Sequence, residues 1–236
     1  MSDVTIPDSL RPLERAAWLP VVEPGDGDAK ASKLGGSAWI PAGEEHPICP
    51  NCQRPMQLFL QLDVASLPDP SAFGGTGLLQ LFYCKTSEPL CEVDCEAYFP
   101  YARSVVARRV DPSGAGAPSA AVVDGALAPQ RIVGWRAVED YPNWEEQSEA
   151  GVTLDEDAIG VVEAAYPRDG EKLGGWPRWV QGVEYPSCGE CGARMRHVFQ
   201  IDSQRLVDYA WGDLGVAHLT QCAEHPDRLA FGWACG

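Results

Sequence analysis

The sequence predicts an α+β fold that is β-rich and internally duplicated, with antiparallel sheets forming two pseudo-two-fold halves. The main observation is a repeat: residues 33–84 align with residues 172–222 when the chain is shifted by 139 positions, which places Lys33 on Lys172. Deleting one residue inside the repeat extends the match to its last cysteine. The matched cysteines are Cys49 with Cys188, Cys52 with Cys191, and Cys84 with Cys222. Each copy therefore carries a Cys-x-x-Cys motif and a third cysteine about thirty residues later.

The second observation is an alternation of apolar and polar residues after each Cys-x-x-Cys motif. The segment M-Q-L-F-L-Q-L-D follows the first motif and M-R-H-V-F-Q-I-D follows the second. Both patterns are typical of half-buried strands. Residues 77–83 and 215–220 have the composition of partner strands. Each strand pair is therefore expected to return its third cysteine to the Cys-x-x-Cys turn.

The repeats divide the chain into four segments. These are an N-terminal helix with a lead-in loop (1–32), the first repeat (33–110), a connector (111–171) and the second repeat (172–236). Ser9 is a suitable N-cap, and the spacing of the apolar residues after it predicts a short helix over residues 9–18. In each repeat a Gly-Gly pair permits a tight turn, before a short strand at residues 39–40 or 179–180.

The connector and the repeat ends supply the remaining elements. Residues 103–110 are predicted to form a further strand of the first repeat. Residues 111–130 are rich in Pro, Gly, Ala and Ser, a composition that predicts a mobile loop. Two acidic stretches between positions 141 and 165 are predicted to be helical. The apolar ending R-L-A-F-G-W-A-C predicts a terminal strand.

The charge balance is strongly acidic. With 34 acidic and 18 basic residues, the formal net charge is −16 at pH 7. This charge disfavours binding to nucleic acid or to an anionic membrane, and it favours a basic protein client. The chain starts without the basic and apolar regions of a secretory signal, and no apolar run reaches membrane-spanning length. We therefore expect a soluble, cytoplasmic protein that is a monomer.

The cysteine pattern predicts two zinc (Zn²⁺) sites. In a reducing compartment, six matched cysteines out of nine are better explained as metal thiolates than as disulfides. Each Cys-x-x-Cys places two sulfur atoms on one tight turn, as in a zinc knuckle, and the return strand adds a third. The predicted ligands are Cys49, Cys52, Cys84 and Cys91 in the first half, and Cys188, Cys191, Cys222 and His225 in the second.

The fourth ligand of each site has a competitor. Cys95 competes with Cys91, which is favoured because the shorter loop back from the third cysteine needs less ordering. Cys235 competes with His225, which belongs to a Cys-x-x-His motif, whereas a cysteine in an apolar terminal strand is commonly a small core residue. Four protein ligands leave no open coordination position. We therefore expect both zinc sites to be structural and to tie strand ends together.

Other chemistries have less support. Buried thiols without metal remain an alternative, and a thioredoxin-type redox role is disfavoured because such pairs start a helix and need no third cysteine. His197 and His218 fall in predicted strands and are expected to be hydrogen-bonded or half-exposed. Neither a serine-hydrolase elbow nor a phosphate-binding glycine loop is present. We therefore expect no enzyme activity; the alternative is a metal-dependent hydrolase with a zinc-bound water, which requires an open coordination position.

Several of these motifs together resemble a known family. The segments K-L-G-G, C-P-x-C-x-x-P-M-Q-L-x-L-Q-L-D and G-L-L-Q-L-F-Y-C, with the ending Q-C-A-E-H-P-D-R-L-A-F-G-W-A-C, resemble the bacterial YwqG-like family of uncharacterised proteins. More distantly, L-G-G-W-P-x-W with C-x-x-C-G-x-x-M is similar to the programmed cell death protein 2 family. The resemblance covers most of the chain from Lys33 onward. It implies a β-rich, internally duplicated fold.

The resemblance also carries an expectation about function. The eukaryotic relatives act as a dedicated chaperone for a ribosomal protein of the small subunit, and the bacterial group has been proposed to include immunity proteins that neutralise toxins. Partner binding is therefore implied rather than catalysis. Combined with the acidic charge, this predicts a zinc-binding interaction module that holds a basic client in a chaperone-like or toxin-immunity-like way. A stable module with no ligand of its own is the third possibility.

Overall fold

The structure is a computed structural model that describes residues 5–236, with all of their side chains except those at positions 92 and 93. Over this range the chain is mostly antiparallel sheet with few helices, which confirms the β-rich prediction. The strands are β1 (Arg15–Pro24), β2 (Lys33–Leu34), β3 (Trp39–Pro41), β4 (Gln57–Asp63), β5 (Leu78–Tyr83), β6 (Val105–Val110), β7 (Gly116–Pro118), β8 (Gln130–Asp140), β9 (Lys172–Gly174), β10 (Arg196–Asp202), β11 (Val216–Gln221) and β12 (Leu229–Ala234). The helices are α1 (Cys91–Cys95), α2 (Trp144–Glu149) and α3 (Glu156–Glu163).

One large sheet organises the molecule. Its order is β12-β11-β10-β9-β1-β8-β2-β4-β5-β6, and every neighbouring pair is antiparallel. The central pair β1 and β8 is flanked on each side by the strands of one repeat. The edge strands β6 and β12 come into contact, so the sheet nearly closes on itself. Strands β3 and β7 form a separate small sheet.

The hairpins β4–β5 and β10–β11 have matching registers. The pair Gln61 and Gln80 in the first hairpin corresponds to Gln200 and His218 in the second. Each hairpin also has a register irregularity at the same place, within residues 58–60 of β4 and residues 197–199 of β10. Both correspondences follow the shift that aligns the two sequence repeats. The hairpins therefore present their ends, and the cysteines beyond them, in equivalent positions.

The Lys-Leu-Gly-Gly segments place a lysine beside a carboxylate. Lys33 Nζ lies 3.0 Å from Asp26 Oδ1. In the second half, Lys172 Nζ lies 2.8 Å from Asp140 Oδ2, and both of these side chains are fully buried. Gly36 has a φ of 71°, and a Cβ atom there would lie 2.3 Å from Asp26 Oδ1. Glycine is required at this position because a side chain would collide with the acceptor of the lysine.

The predicted N-terminal helix over residues 9–18 is wrong. The chain forms a single 3-10 turn at Arg11–Leu13 and then enters strand β1. Pro12 allows only the first turn of a helix, because its ring blocks the hydrogen bond that a helix interior requires. Ala17 is buried in β1 between two partner strands, β8 and β9. Pairing on both sides therefore outweighs a weak local helical pattern.

The connector is more ordered than its composition suggests. The two acidic helices and the strands at residues 105–110 and 229–234 are confirmed. The segment predicted to be a mobile loop, however, contains β7, which pairs with β3. The connector also supplies the central strand β8, which no local pattern predicts, and the strand predicted at residues 179–180 is absent from the described structure. Within residues 5–236, no helix combines the length and apolarity needed to cross a bilayer.

One main hydrophobic core joins the two halves. Trp211 is fully buried. Its ring centroid lies 4.9 Å from that of Phe59 and 5.2 Å from that of Tyr83, both in the first half. Phe231 of the second half packs on the same ring at 5.3 Å. Because buried aromatic contacts of this kind are strongly stabilising, each half depends on the other for its packing.

Candidate metal centres

Both Cys-x-x-Cys turns are built by the same backbone hydrogen bond. In the first turn, the N–H of Gln53 donates to Cys49 O at 2.8 Å. In the second, the N–H of Gly192 donates to Cys188 O at 2.8 Å. Gln53 and Gly192 have φ values of 60° and 72°. A left-handed residue directly after the second cysteine therefore closes each turn and points two thiols to one side.

The first cluster gathers four sulfur atoms. They belong to Cys49, Cys52, Cys84 and Cys91, and all lie within 4.8 Å of one another. The Sγ atoms of Cys49 and Cys91 are 3.6 Å apart, and those of Cys52 and Cys84 are 3.5 Å apart. A disulfide would place the sulfurs at about 2.05 Å, whereas tetrahedral zinc with bonds near 2.3 Å would place them at about 3.8 Å. The spacing therefore fits a metal site and not disulfides.

Helix α1 brings Cys91 rather than Cys95 into this cluster. The Cys95 thiol lies one turn further on, with its Sγ 4.0 Å from Cys91 Sγ, and it donates to Cys91 O at 3.0 Å. It is not a member of the group of four. Asn51 Nδ2, from the Cys-x-x-Cys turn, donates to Cys91 Sγ at 3.1 Å. Asn51 thus contacts the sulfur atom of Cys91, and Cys95 contacts its backbone carbonyl.

The second cluster gathers three sulfurs and one imidazole. Its members are Cys188, Cys191, Cys222 and His225, with their ligand atoms within 4.8 Å of one another. Cys191 Sγ lies 3.6 Å from Cys222 Sγ, which lies 3.8 Å from His225 Nδ1. Cys235 is outside this group and packs beside Gly212 instead. The geometry therefore brings together the set with His225 and leaves out its competitor.

The third residue of each Cys-x-x-Cys turn contacts the fourth member of the cluster. Asn51 does so in the first half, as described above. At the matched position, Glu190 Oε1 lies 3.3 Å from His225 Nε2. Glu190 Oε2 also accepts a hydrogen bond from Arg228 Nε at 2.7 Å. A carboxylate that pairs with one imidazole nitrogen, here Nε2, leaves the other, Nδ1, for a metal. This is a common arrangement in zinc sites.

The thiols differ in how readily they ionise. Hydrogen bonds from the backbone N–H groups of Cys191 and Glu190 lower the pKa of Cys188 to about 6. Burial raises the pKa of Cys84 to about 11, so this thiol on its own keeps its proton at neutral pH. A structural zinc ion displaces such protons when it binds. The donor sets, four sulfurs and three sulfurs with one imidazole, are those typical of structural zinc.

The family of the protein follows from its sequence. Residues 32–224 match the family model described as Domain of unknown function (DUF1963). The chain belongs to this family. YwqG-like proteins carry the DUF1963 domain, which agrees with the resemblance found in the motifs. The comparison with curated proteins gives no match. The region matched by the DUF1963 family contains both Cys-x-x-Cys turns and all six matched cysteines, and it ends one residue before His225.

Two histidines of this DUF1963 protein differ from expectation. His197 and His218 are buried on β10 and β11, with ring centroids 5.7 Å apart. Among the described residues, three of their ring nitrogens have no hydrogen-bond partner: Nδ1 and Nε2 of His197, and Nε2 of His218. The prediction of a hydrogen-bonded or half-exposed residue is therefore wrong for His197, whereas His218 is hydrogen-bonded through its other nitrogen to the backbone of Arg178. The available signal was their placement in adjacent predicted strands, where two unpaired rings can meet.

Proposed function

We propose that this protein is a zinc-stabilised interaction module that holds a basic client protein on its acidic surface. The observation that carries the proposal is that each cluster offers four protein donor atoms within 4.8 Å of one another. Four donors complete a tetrahedral zinc ion and leave no position for a reactive water. The two zinc ions would therefore shape the surface rather than perform chemistry.

The positions of the third cysteines support a structural role for zinc. Cys84 directly follows β5, and Cys222 directly follows β11. In each half, zinc would tie the end of the return strand to the turn that precedes its partner strand. Such a link constrains the register of the hairpin and contributes several kcal/mol to the free energy of unfolding. The matched registers also support our proposal that the two halves arose by duplication.

A metal-dependent hydrolase is the competing function. It needs a metal with three protein ligands and an open position for water. The first cluster is the less suitable for it, because Cys49, Cys84 and Cys91 are all buried. In the second, the imidazole of His225 completes the set of four donors. We therefore propose that the protein is not an enzyme.

The client is inferred from charge. A net charge of −16 produces a field that attracts basic proteins and repels nucleic acids and anionic membranes. A basic ribosomal protein and a basic toxin both meet this requirement, so the chaperone-like and immunity-like roles share one binding chemistry. We propose that the module works as a monomer in the cytoplasm, a location supported by its nine free cysteines.

Affinity capture from cytosol at low and at high salt tests this proposal. A second bait, an unrelated protein of similar net charge, removes partners that respond to charge alone. We expect partners specific to the first bait to be basic and to dissociate at high salt, because screening shortens the reach of the field from about 10 Å at 0.1 M to about 3 Å at 1 M. Specific partners that are acidic, or binding that is insensitive to salt, would contradict the proposal.

A further inference from the structure

We propose that an aromatic cavity between the second half and the loop after α1 binds arginine side chains of the basic client. This inference rests on the proposed function and assigns it a contact site. The cavity has a volume of about 370 Å³, within the range of roughly 300–1,000 Å³ typical of ligand sites. The residues that define it here are Tyr98, Phe99, Trp179, Tyr185, His218 and Trp233.

The aromatic lining is suited to a cation. Five of the six defining side chains are aromatic rings of Phe, Tyr or Trp, whose faces attract positive charge. Two of them, Tyr98 and Phe99, are 44% and 53% exposed, so a client can reach them. The described lining contains no lysine or arginine, and it includes one acidic residue, Glu184. An aromatic lining with one acidic residue and no basic one suits a positively charged ligand.

Two polar atoms of the lining residues lack partners. His218 Nε2 and Trp179 Nε1 are buried without a hydrogen bond to any described residue. Burial lowers the pKa of His218 to about 3, so its ring is neutral at pH 7 and does not repel a cation. A neutral ring whose other nitrogen bonds the backbone of Arg178 offers Nε2 as an acceptor. The Trp179 N–H complements it, as a donor for a carbonyl oxygen of a bound peptide.

The choice of arginine follows from these contacts. Guanidinium is planar, stacks on aromatic rings and still offers N–H donors at its edge, whereas a methylated ammonium has few donors or none. The molecule already stacks guanidinium groups on rings of this region: Arg194 Cζ lies 4.1 Å from the ring centroid of Tyr185, itself a cavity residue, and Arg15 Cζ lies 3.2 Å from that of Trp176. The wall formed by Trp179 and Tyr185, with centroids 4.9 Å apart, offers further faces of the same kind.

Both cysteine clusters support one wall of the cavity. Tyr98 and Phe99 lie a few residues after α1, which carries Cys91 of the first cluster. The carbonyl of Tyr98 accepts a hydrogen bond from the N–H of Trp233 at 3.2 Å. Tyr101 OH then donates to Ser187 O at 2.8 Å, next to the turn of the second cluster. The wall is therefore fixed at both ends by the elements that the proposed metals organise.

The test uses blocked tripeptides as probes on the full chain. Acetyl-Gly-Arg-Gly-amide is titrated at low salt and followed by tryptophan fluorescence and NMR, beside peptides with lysine, trimethyl-lysine or neutral citrulline in the central position. We expect the arginine peptide to bind most tightly. The Trp179→Leu substitution should weaken it about tenfold, the scale of a desolvated cation–π contact. Trp144→Leu, an exposed tryptophan on α2 outside the cavity, should leave binding unchanged.

Phe99→Ala provides a second variant should Trp179→Leu fail to fold, because Phe99 is largely exposed. We expect it to weaken the arginine peptide several-fold. Absence of saturable binding, equal binding of the citrulline peptide, tighter binding of either lysine peptide, or full affinity in the folded cavity variants would overturn the inference. If a basic client binds wild type and Trp179→Leu equally tightly and in a salt-sensitive way, the cavity is not its binding site, and the proposed function is still supported.

If the arginine peptide binds the cavity but no basic client is captured, the cavity is supported and the proposed function is contradicted.

Discussion

The two halves of the molecule have the same strand scaffold but carry different buried polar residues at matched positions. At matched positions, β5 carries Gln80 and β11 carries His218. Gln80 Nε2 donates to Trp39 O at 2.7 Å and to Gln61 Oε1 at 2.9 Å. His218 Nε2 has no hydrogen-bond partner within residues 5–236 as described, and it belongs to a residue that lines the aromatic cavity. The first half thus satisfies its buried polar group internally, while the second leaves one unsatisfied, which we propose a ligand would complete.

The two cysteine clusters differ in the same way. In the first, Cys49, Cys84 and Cys91 are part of the main hydrophobic core. In the second, Cys188 and Cys222 pack in a small separate cluster with Met195 and Ala230. Loss of the first site should therefore disturb the whole fold, whereas loss of the second should stay local.

The largest expected effect compares Cys49→Ser with Cys188→Ser, which occupy matched positions. We expect Cys49→Ser to lower the free energy of unfolding by about 5 kcal/mol, because it removes a donor of the proposed zinc site that is joined to the main core. For a chain of this size, that corresponds to a thermal midpoint lower by about 10–20 °C. Cys188→Ser should cost about 2 kcal/mol. Circular dichroism melts and metal analysis check both values.

The control for these substitutions is Cys235→Ser, which removes a thiol outside both clusters. It should keep two metals per chain and a nearly unchanged melt. Equal losses of unfolding free energy for Cys49→Ser and Cys188→Ser would contradict the difference between the core cluster and the peripheral one. Unchanged metal content in both variants would show that these cysteines do not bind zinc.

The next largest effect concerns the matched Lys–Asp pairs. Asp140 accepts hydrogen bonds from Lys172 Nζ and from the N–H of Trp176, both at 2.8 Å. We expect Asp140→Asn to lower the free energy of unfolding by about 3–5 kcal/mol, because it leaves Lys172 buried without its counter-charge. Asp26→Asn should cost about 1 kcal/mol, because the Asp26 side chain is 39% exposed. Urea unfolding at neutral pH measures both, and similar losses would contradict the difference in burial.

A smaller effect depends on pH. Glu171 occupies the position matched by Ser32 in the first half, and burial raises its pKa to about 7. Because folding favours the protonated form, the contribution of Glu171 to stability is fully present below the unfolded pKa of 4.5 and is lost as pH rises through 7. Relative to Glu171→Gln, we expect wild type to lose about 2 kcal/mol between pH 5.5 and pH 8.5. Glu163→Gln, on the exposed side of α3, serves as control, and parallel pH profiles for wild type and Glu171→Gln would contradict the account.

The smallest effect tests the turn residues behind the fourth ligands. Asn51→Ala and Glu190→Ala should each weaken zinc affinity at their own site by about tenfold, with little change in unfolding of the zinc-loaded protein. Competition with a chromophoric chelator resolves the two sites. A loss at the wrong site, or none at either, would show that the matched contacts do not orient Cys91 and His225.

The sequence predicted the repeated parts of this molecule well, for a physical reason. A Cys-x-x-Cys turn followed by an alternating strand and a return strand has few ways to pack, so residues 57–63 and 196–202 could be placed on strands from their pattern alone. The N-terminal strand β1 and the connector strand β8 were missed because each is stabilised mainly by the other. Their pairing joins positions about a hundred residues apart, and no local pattern reports it.

Prediction of the site was also uneven. The eight cluster residues followed from spacing, including the preference for Cys91 over Cys95, because ligands on turns and strand ends are fixed by local geometry. The aromatic cavity did not follow. Its walls come from a loop after α1, from the segment before β10, and from the last two strands of the sheet. Only the nearly closed sheet brings these segments together, and His218 therefore looked like an ordinary strand residue.

Zinc-edge X-ray absorption combined with metal counting on freshly purified protein tests the central claim most directly. With seven cysteines and one histidine in the two clusters, we expect two zinc ions per chain and an average shell of about 3.5 sulfur and 0.5 nitrogen atoms at tetrahedral distances. A chain that holds no zinc, or a shell in which water oxygen replaces a protein donor, would contradict the account of two closed structural sites.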